Sequence, residues 1–326
     1  VPALLFDLND ELVTKGRDNL TKMKPAPLYS PNNIDLVEPC TYDKDLERLG
    51  EADWVLEAVA ENLEIKHTVY KQISPHLKSD VLLSSNSSGL PVAKIAEALP
   101  EKLRSRFVLT HFFNPPRYLR LVEIVPGSAD KEVIDTLAAF TSEYLGKGIV
   151  WAKDTPNFVA NRIGVHAQMV ALHLTEDMGL TIEEVDKLTG TIIGRPKSAM
   201  YRTLDIVGLD VGLNVAQNTY DNCPDDEERE LFLKPTVLNR LVEAGRLGQK
   251  SGEGFYKKTS EGILSIDFDS LEYVPQKRVR FDGYRLAKQQ NTAAGRIGPP
   301  AWCWPPPGNW PPRSPRCCSR WLRPAG

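Results

Sequence analysis

The sequence has no long apolar run. Its longest, such as Val81-Leu82-Leu83 and Gly148-Ile149-Val150-Trp151, fall far short of the ~20 residues a membrane-spanning helix needs. No signal peptide is visible either. Cysteine is scarce: Cys40 and Cys223 stand alone before residue 303. That excludes a disulfide framework or a paired-cysteine metal site there and reads as a reduced, cytoplasmic protein. There is no initiator Met; Val1 opens almost directly into the apolar run Ala3–Phe6, which reads as a fragment. No acidic residue follows Asp282, whereas seven basic ones do. With those seven set aside, the formal charge of −3 becomes −10 for residues 1–282. An acidic body of this kind has no general attraction for nucleic acid.

What is present falls into an alternating half and a helical half. Short apolar runs at 3–6, 53–59, 81–83, 107–109 and 121–125 read as strands. Helical spacing covers 10–23, 65–77, 92–99 and 133–145, with Ile65, Val69, Ile73 and Leu77 each four apart. This alternation predicts an α/β fold, Rossmann-like, with a mostly parallel sheet. From about residue 155 the strand signals stop. Helices are expected over about 158–178, 181–190, 205–219 and 235–245, forming an all-α second domain. The boundary falls near Lys153-Asp154-Thr155-Pro156, where proline restricts its predecessor. The domains expected are thus 1–153 and 154–257, with a linker over 258–296. Residues 297–326 read as a disordered or frame-shifted tail, since 299–326 hold nine of the 25 prolines and four of the six tryptophans.

Two residue types invite chemistry. His111 closes an apolar strand, and Glu123 lies in the next. Oxidising a secondary alcohol needs a base for the hydroxyl proton, and histidine titrates near neutrality. A carboxylate orients the ring and favours the imidazolium. Asp7, at the end of the first apolar run, fits an acid that accepts from adenosine-ribose hydroxyls. It points to NAD over NADP, because a carboxylate repels a 2′-phosphate. Such an Asp ordinarily follows a Gly-x-Gly-x-x-Gly loop by ~20 residues. Only six residues precede it here, and no such fingerprint occurs in the chain. The first strand and glycine loop are therefore expected to be missing. His67, His76, His166 and His173 are scattered, so no metal is expected.

Five strings occur in order: Ser85-Asn86-Ser87-Ser88-Gly89-Leu90, Thr110–Pro116, Leu121–Gly127, Lys153–Arg162 and Gly248–Tyr256. Together they resemble the 3-hydroxyacyl-CoA dehydrogenase family over residues 1 to about 257. The stretch after 257 resembles the linker of longer members that continue into an enoyl-CoA hydratase domain. The resemblance implies NAD-dependent oxidation of (3S)-hydroxyacyl-CoA to 3-oxoacyl-CoA in fatty-acid β-oxidation. It implies His111 as acid/base, Glu123 as its partner, and Ser88 and Asn161 as substrate contacts. It also implies cofactor contacts at Glu61, Lys66, Ser88, Asn114 and Lys250, an acyl-CoA substrate and a homodimer. Three departures stand out: Ser87 where the family usually has Thr, Gly89 where it often has Ser, and Asn157 where it often has Gly. The alternative expectation is an inactive relative that binds acyl-CoA or is structural.

Overall fold

The computed structural model describes residues 1–233, 237–281 and 283–284. The expected tail at 297–326 lies outside them. Strand β1 (Ala3–Asp7) leads into α1 (Asp10–Lys22), whose first turn is capped by Asn9 accepting from Leu12 N. Next come β2 (Val37–Thr41), β3 (Trp54–Glu57), α2 (Leu63–Ile73), β4 (Leu82–Ser85), α3 (Val92–Ala96) and α4 (Glu101–Arg104). The domain closes with β5 (Phe107–Phe112), β6 (Leu121–Val125), α5 (Lys131–Ala139) and β7 (Gly148–Trp151).

Strands β3, β4 and β5 run parallel, β6 is antiparallel to β5, and β7 is parallel to β6. β1 pairs only with β2, in parallel, so the sheet is in two pieces among the described residues. Phe6 and Tyr42 tie the smaller piece to the main core, with ring centroids 5.8 Å apart. Side chains alternate across a strand. Phe107 and Leu109 face one core with Tyr70, Ile73 and Ile95, while Val108 and Ile124 face another with Val133 and Leu137. His111 continues the parity of Phe107 and Leu109, and Glu123 that of Val125.

The second domain comprises α6 (Ala160–Asp177), α7 (Ile182–Thr189), α8 (Tyr201–Val207), α9 (Leu209–Asn222) and α10 (Val237–Glu243). Its core gathers Met169, Leu172, Tyr201, Leu204, Leu209, Leu241 and Phe255. The single helix expected over 205–219 is instead two. Gly208 has φ 105°, a conformation that breaks the helix and that glycine alone adopts cheaply. Strands do not stop at 155. The stretch read as linker begins with a three-stranded antiparallel sheet, β8 (Tyr256–Thr259), β9 (Gly262–Ile266) and β10 (Tyr273–Pro275). Buried Ser265 and Ile266 anchor it to the helical core. These strands are too short and polar to announce themselves by alternation. Among the described residues no helix is long and apolar enough to cross a membrane.

Candidate active site

The register of β5 against β6 makes His111 and Glu123 direct cross-strand partners. His111 is 4% exposed and Glu123 is 0% exposed. His111 Nδ1 lies 2.7 Å from Glu123 Oε2. A carboxylate in contact with Nδ1 accepts a hydrogen bond from Nδ1–H, which leaves Nε2 as the basic nitrogen. The other carboxylate oxygen, Oε1, accepts from Val159 N at 3.0 Å and Ala160 N at 2.7 Å. Glu123 is thus fully satisfied despite its burial, as a buried carboxylate must be. The ring of His111 is flanked by Phe113 at 4.4 Å and Phe158 at 5.8 Å between centroids.

Ser88 sits in the turn after β4 and is exposed. The turn is held by Glu61. Its Oε1 accepts from Ser87 Oγ at 2.6 Å, Ser88 N at 2.8 Å and Gly89 N at 3.1 Å. Ser87 Oγ also accepts from Leu90 N at 3.1 Å. Ser87 thus serves the turn, while the start of α3 is capped from the domain boundary by Asp154, which accepts from Val92 N and Ala93 N. Asn161 reaches the same turn, its Nδ2 lying 3.4 Å from the Ser88 carbonyl. Ser88 and Asn161 therefore meet across the domain boundary.

Lys66 has a buried place. It is 1% exposed, and its ammonium sits 2.8 Å from Glu57 Oε1 and 3.5 Å from Glu61 Oε2. It meets the site through Glu61 rather than through its own surface. Glu57 in turn accepts from Val59 N, from Ser85 Oγ at 2.6 Å and from Tyr70 OH at 3.3 Å. Burial beside that carboxylate pushes the Tyr70 hydroxyl well above its usual pKa. Sequence reasoning missed Glu57, Asn86 and Asp154. Asn86 accepts from Phe112 N at 2.9 Å and so fastens the ends of β4 and β5 together. The signal for Glu57 was a carboxylate inside an apolar strand; Asn86 and Asp154 gave none separable from ordinary turn residues.

Asp7 ends β1 half-buried, with one oxygen taken by Leu8 N. Glu57, Ser85 and Phe112 mark the ends of β3, β4 and β5, with Asn114 exposed just beyond. Ligands of open α/β sheets bind at the carboxyl ends of parallel strands. Asp7 for a ribose, with Glu61, Ser88 and Asn114 at the strand ends, fits a dinucleotide at its two outer parts. The glycine-rich cradle for its pyrophosphate is not among these 326 residues. Lys250 has its described partners elsewhere: it pairs with Asp210 and packs over Gly208. That contact holds the Asp210 carboxyl below its usual pKa.

The Gly248–Tyr256 string folds around Asp205 of α8. Its carboxylate, 8% exposed, accepts from Phe255 N and Tyr256 N, each at 2.8 Å. A side chain at Gly254 would collide with Asp205 Oδ1 and Gly248 Cα. Burial outweighs the two N–H donors and pushes the Asp205 carboxyl up to about 6. His166 pairs with Glu228, and His173 with the Leu231 carbonyl. Among the described residues no group of three or more His, Cys, Asp or Glu is placed to hold a metal ion.

Both domains are similar to known proteins. Residues 1–155 match the 3-hydroxyacyl-CoA dehydrogenase NAD binding domain, and residues 158–258 match the 3-hydroxyacyl-CoA dehydrogenase C-terminal domain. A probable 3-hydroxyacyl-CoA dehydrogenase of Bacillus subtilis is 42% identical over 87% of this chain, which spans 36% of that protein. Another, of Deinococcus radiodurans, is 40% identical over 80% of this chain and 77% of its own length. The crystal structure of M. tuberculosis FadB2 is similar with a TM-score of 0.70 at 30% identity, covering 79% of this chain and 91% of that one. The chain belongs to the 3-hydroxyacyl-CoA dehydrogenase family.

Proposed function

We propose that this site interconverts (3S)-hydroxyacyl-CoA and 3-oxoacyl-CoA with NAD, as a step of fatty-acid β-oxidation. One observation carries the reading: a buried His–Glu pair whose carboxylate is gripped by the N–H groups of Val159 and Ala160, next to Asn161, which reaches the Ser88 turn. NAD, when bound, supplies the hydride acceptor. The residues of this chain do the rest. His111 Nε2 takes the proton of the C3 hydroxyl as the carbon–hydrogen bond breaks. Glu123 holds Nδ1–H, fixes the tautomer and stabilises the imidazolium that forms. In the reverse direction the same imidazolium returns the proton to the 3-oxo oxygen. Ser88 Oγ and the Asn161 amide hold the 3-oxygen and the thioester carbonyl. Asp7 and Glu61 are the acceptors for ribose hydroxyls, with Lys66 acting behind Glu61.

The assay is oxidation of NADH by acetoacetyl-CoA, followed by the loss of nicotinamide absorbance. We expect turnover that depends on His111. Acyl-CoA binding without turnover is the contrary outcome of the same experiment. It would show as acetoacetyl-CoA binding in calorimetry with no NADH consumed. Homodimerisation belongs to the same proposal. Exposed Ile163, Met178 and Ile206 supply apolar surface on the second domain, and light scattering would report the mass. A cytoplasmic setting rests on the two isolated body cysteines, both free.

A further inference from the structure

The four residues 157–160 link the His111–Glu123 pair, helix α9 and the turn at Gly89. Asn157 and Phe158 are both left-handed, at φ 60° and 49°. Two such residues in succession are costly outside glycine and persist where surrounding contacts enforce them. Those contacts are visible. Asn157 is 2% exposed, and its Nδ2 donates to the Val215 carbonyl at 3.1 Å and to Thr219 Oγ1 at 2.7 Å, both on α9. On its other side, a Cβ built at Gly89 would lie 3.0 Å from Asn157 Oδ1 and 3.8 Å from Asn218 Nδ2. The Asn157 amide thus fills the space between α9 and the Ser88–Gly89 turn. The next residue, Phe158, packs on the His111 ring, and the next two N–H groups grip Glu123.

From this we infer that Asn157 is an interdomain positioning residue: its carboxamide, anchored on α9, sets how closely the Ser88–Gly89 turn approaches the helical domain, and thereby the alignment of Ser88 with the His111–Glu123 pair. Gly89 is its complement, because any side chain there would push on the amide. The pair acts as one unit. Loss of the carboxamide lets the turn drift, and addition of a methyl group at Gly89 forces it away.

The inference rests on the proposed reaction only for its kinetic readout, so two measurements are combined in the 326-residue chain. Acetoacetyl-CoA affinity is measured by calorimetry for the parent, Asn157→Gly, Gly89→Ala and the double variant. Glycine keeps the left-handed backbone at 157 available, so the first substitution removes the amide without straining the chain. Gly89→Ala is expected to weaken binding by about tenfold in the parent but by no more than about twofold in the Asn157→Gly background. Equal losses in both backgrounds overturn the coupling. The second measurement is the position of the His111 ring resonances in NMR, which needs neither substrate nor turnover. They are expected to move in both single variants; unchanged resonances in both would overturn the positioning role. If acetoacetyl-CoA does not bind the parent, the proposed function fails while the resonances still decide the positioning role of Asn157. If Gly89→Ala does not fold, Asn157→Gly decides alone.

Discussion

Two buried carboxylates divide the labour of this molecule. Glu123 in the first domain and Asp205 in the second each accept two backbone N–H bonds. Glu123 also holds an imidazole, whereas Asp205 holds only the backbone of the Gly248–Tyr256 string. A buried carboxylate with a titratable partner at a cleft is placed for proton chemistry. One satisfied by backbone alone pins a fold. The difference teaches that a recognisable string is not in itself a functional one. Asp205 closes the helical core, and the glycines at 248 and 254 exist to let the chain approach it.

The sharpest way to break the comparison is to exchange the expected consequences. His111→Ala should cut kcat by about 10²–10⁴, the range for a lost general acid–base. Unchanged turnover would remove His111 from the chemistry. Asp205→Ala should act on stability instead. It orphans two buried N–H groups at about 1–3 kcal/mol each, so urea unfolding should show a loss of roughly 2–6 kcal/mol, with KM for acetoacetyl-CoA preserved. A kinetic defect without a stability loss would place Asp205 in the site.

Ionisation distinguishes the two carboxylates further. Burial raises the Asp205 carboxyl to about 6 in the folded chain, above the 3.8 of an unperturbed aspartate. A raised acid binds its proton more tightly when folded, so its favourable contribution is complete below about pH 3.8 and is lost as pH rises through about 6. The full loss is on the order of 3 kcal/mol. Urea unfolding of the parent from about pH 4 to about pH 6.5 should contain this decline, and Asp205→Asn should lack it. Parallel curves for the two proteins would refute the assignment. The smallest expected effect is at the rim of the site. Ser88→Ala should lower kcat/KM about tenfold, the worth of one hydrogen bond to a polar substrate group.

The α/β half was legible because its strands are apolar and its helices periodic, as at Ile65–Ile73. The His111–Glu123 pair was legible in composition and order, but its cross-strand register required the antiparallel turn between β5 and β6. What the sequence hid was polar and non-local. β2 carries Pro39 and Glu38, so no apolar run marks it. β8 to β10 are short and held by Arg240, Arg246 and Tyr273 contacts to distant backbone. Lys66 is expected from the resemblance as a cofactor contact; its burial depends on Glu57, which lies on β3 and becomes a partner only in the fold. Asn157 read as a departure in a turn, and its meaning came from α9, some sixty residues away.

The most direct test of the central claim is isotopic. The protein is incubated with acetoacetyl-CoA and NADH deuterated at C4 of the nicotinamide, and the product is analysed by mass spectrometry. The account predicts deuterium on C3 of 3-hydroxybutyryl-CoA, formed by the parent and lost with His111→Ala. Acetoacetyl-CoA recovered without deuterated product, or product formed equally without His111, would contradict it.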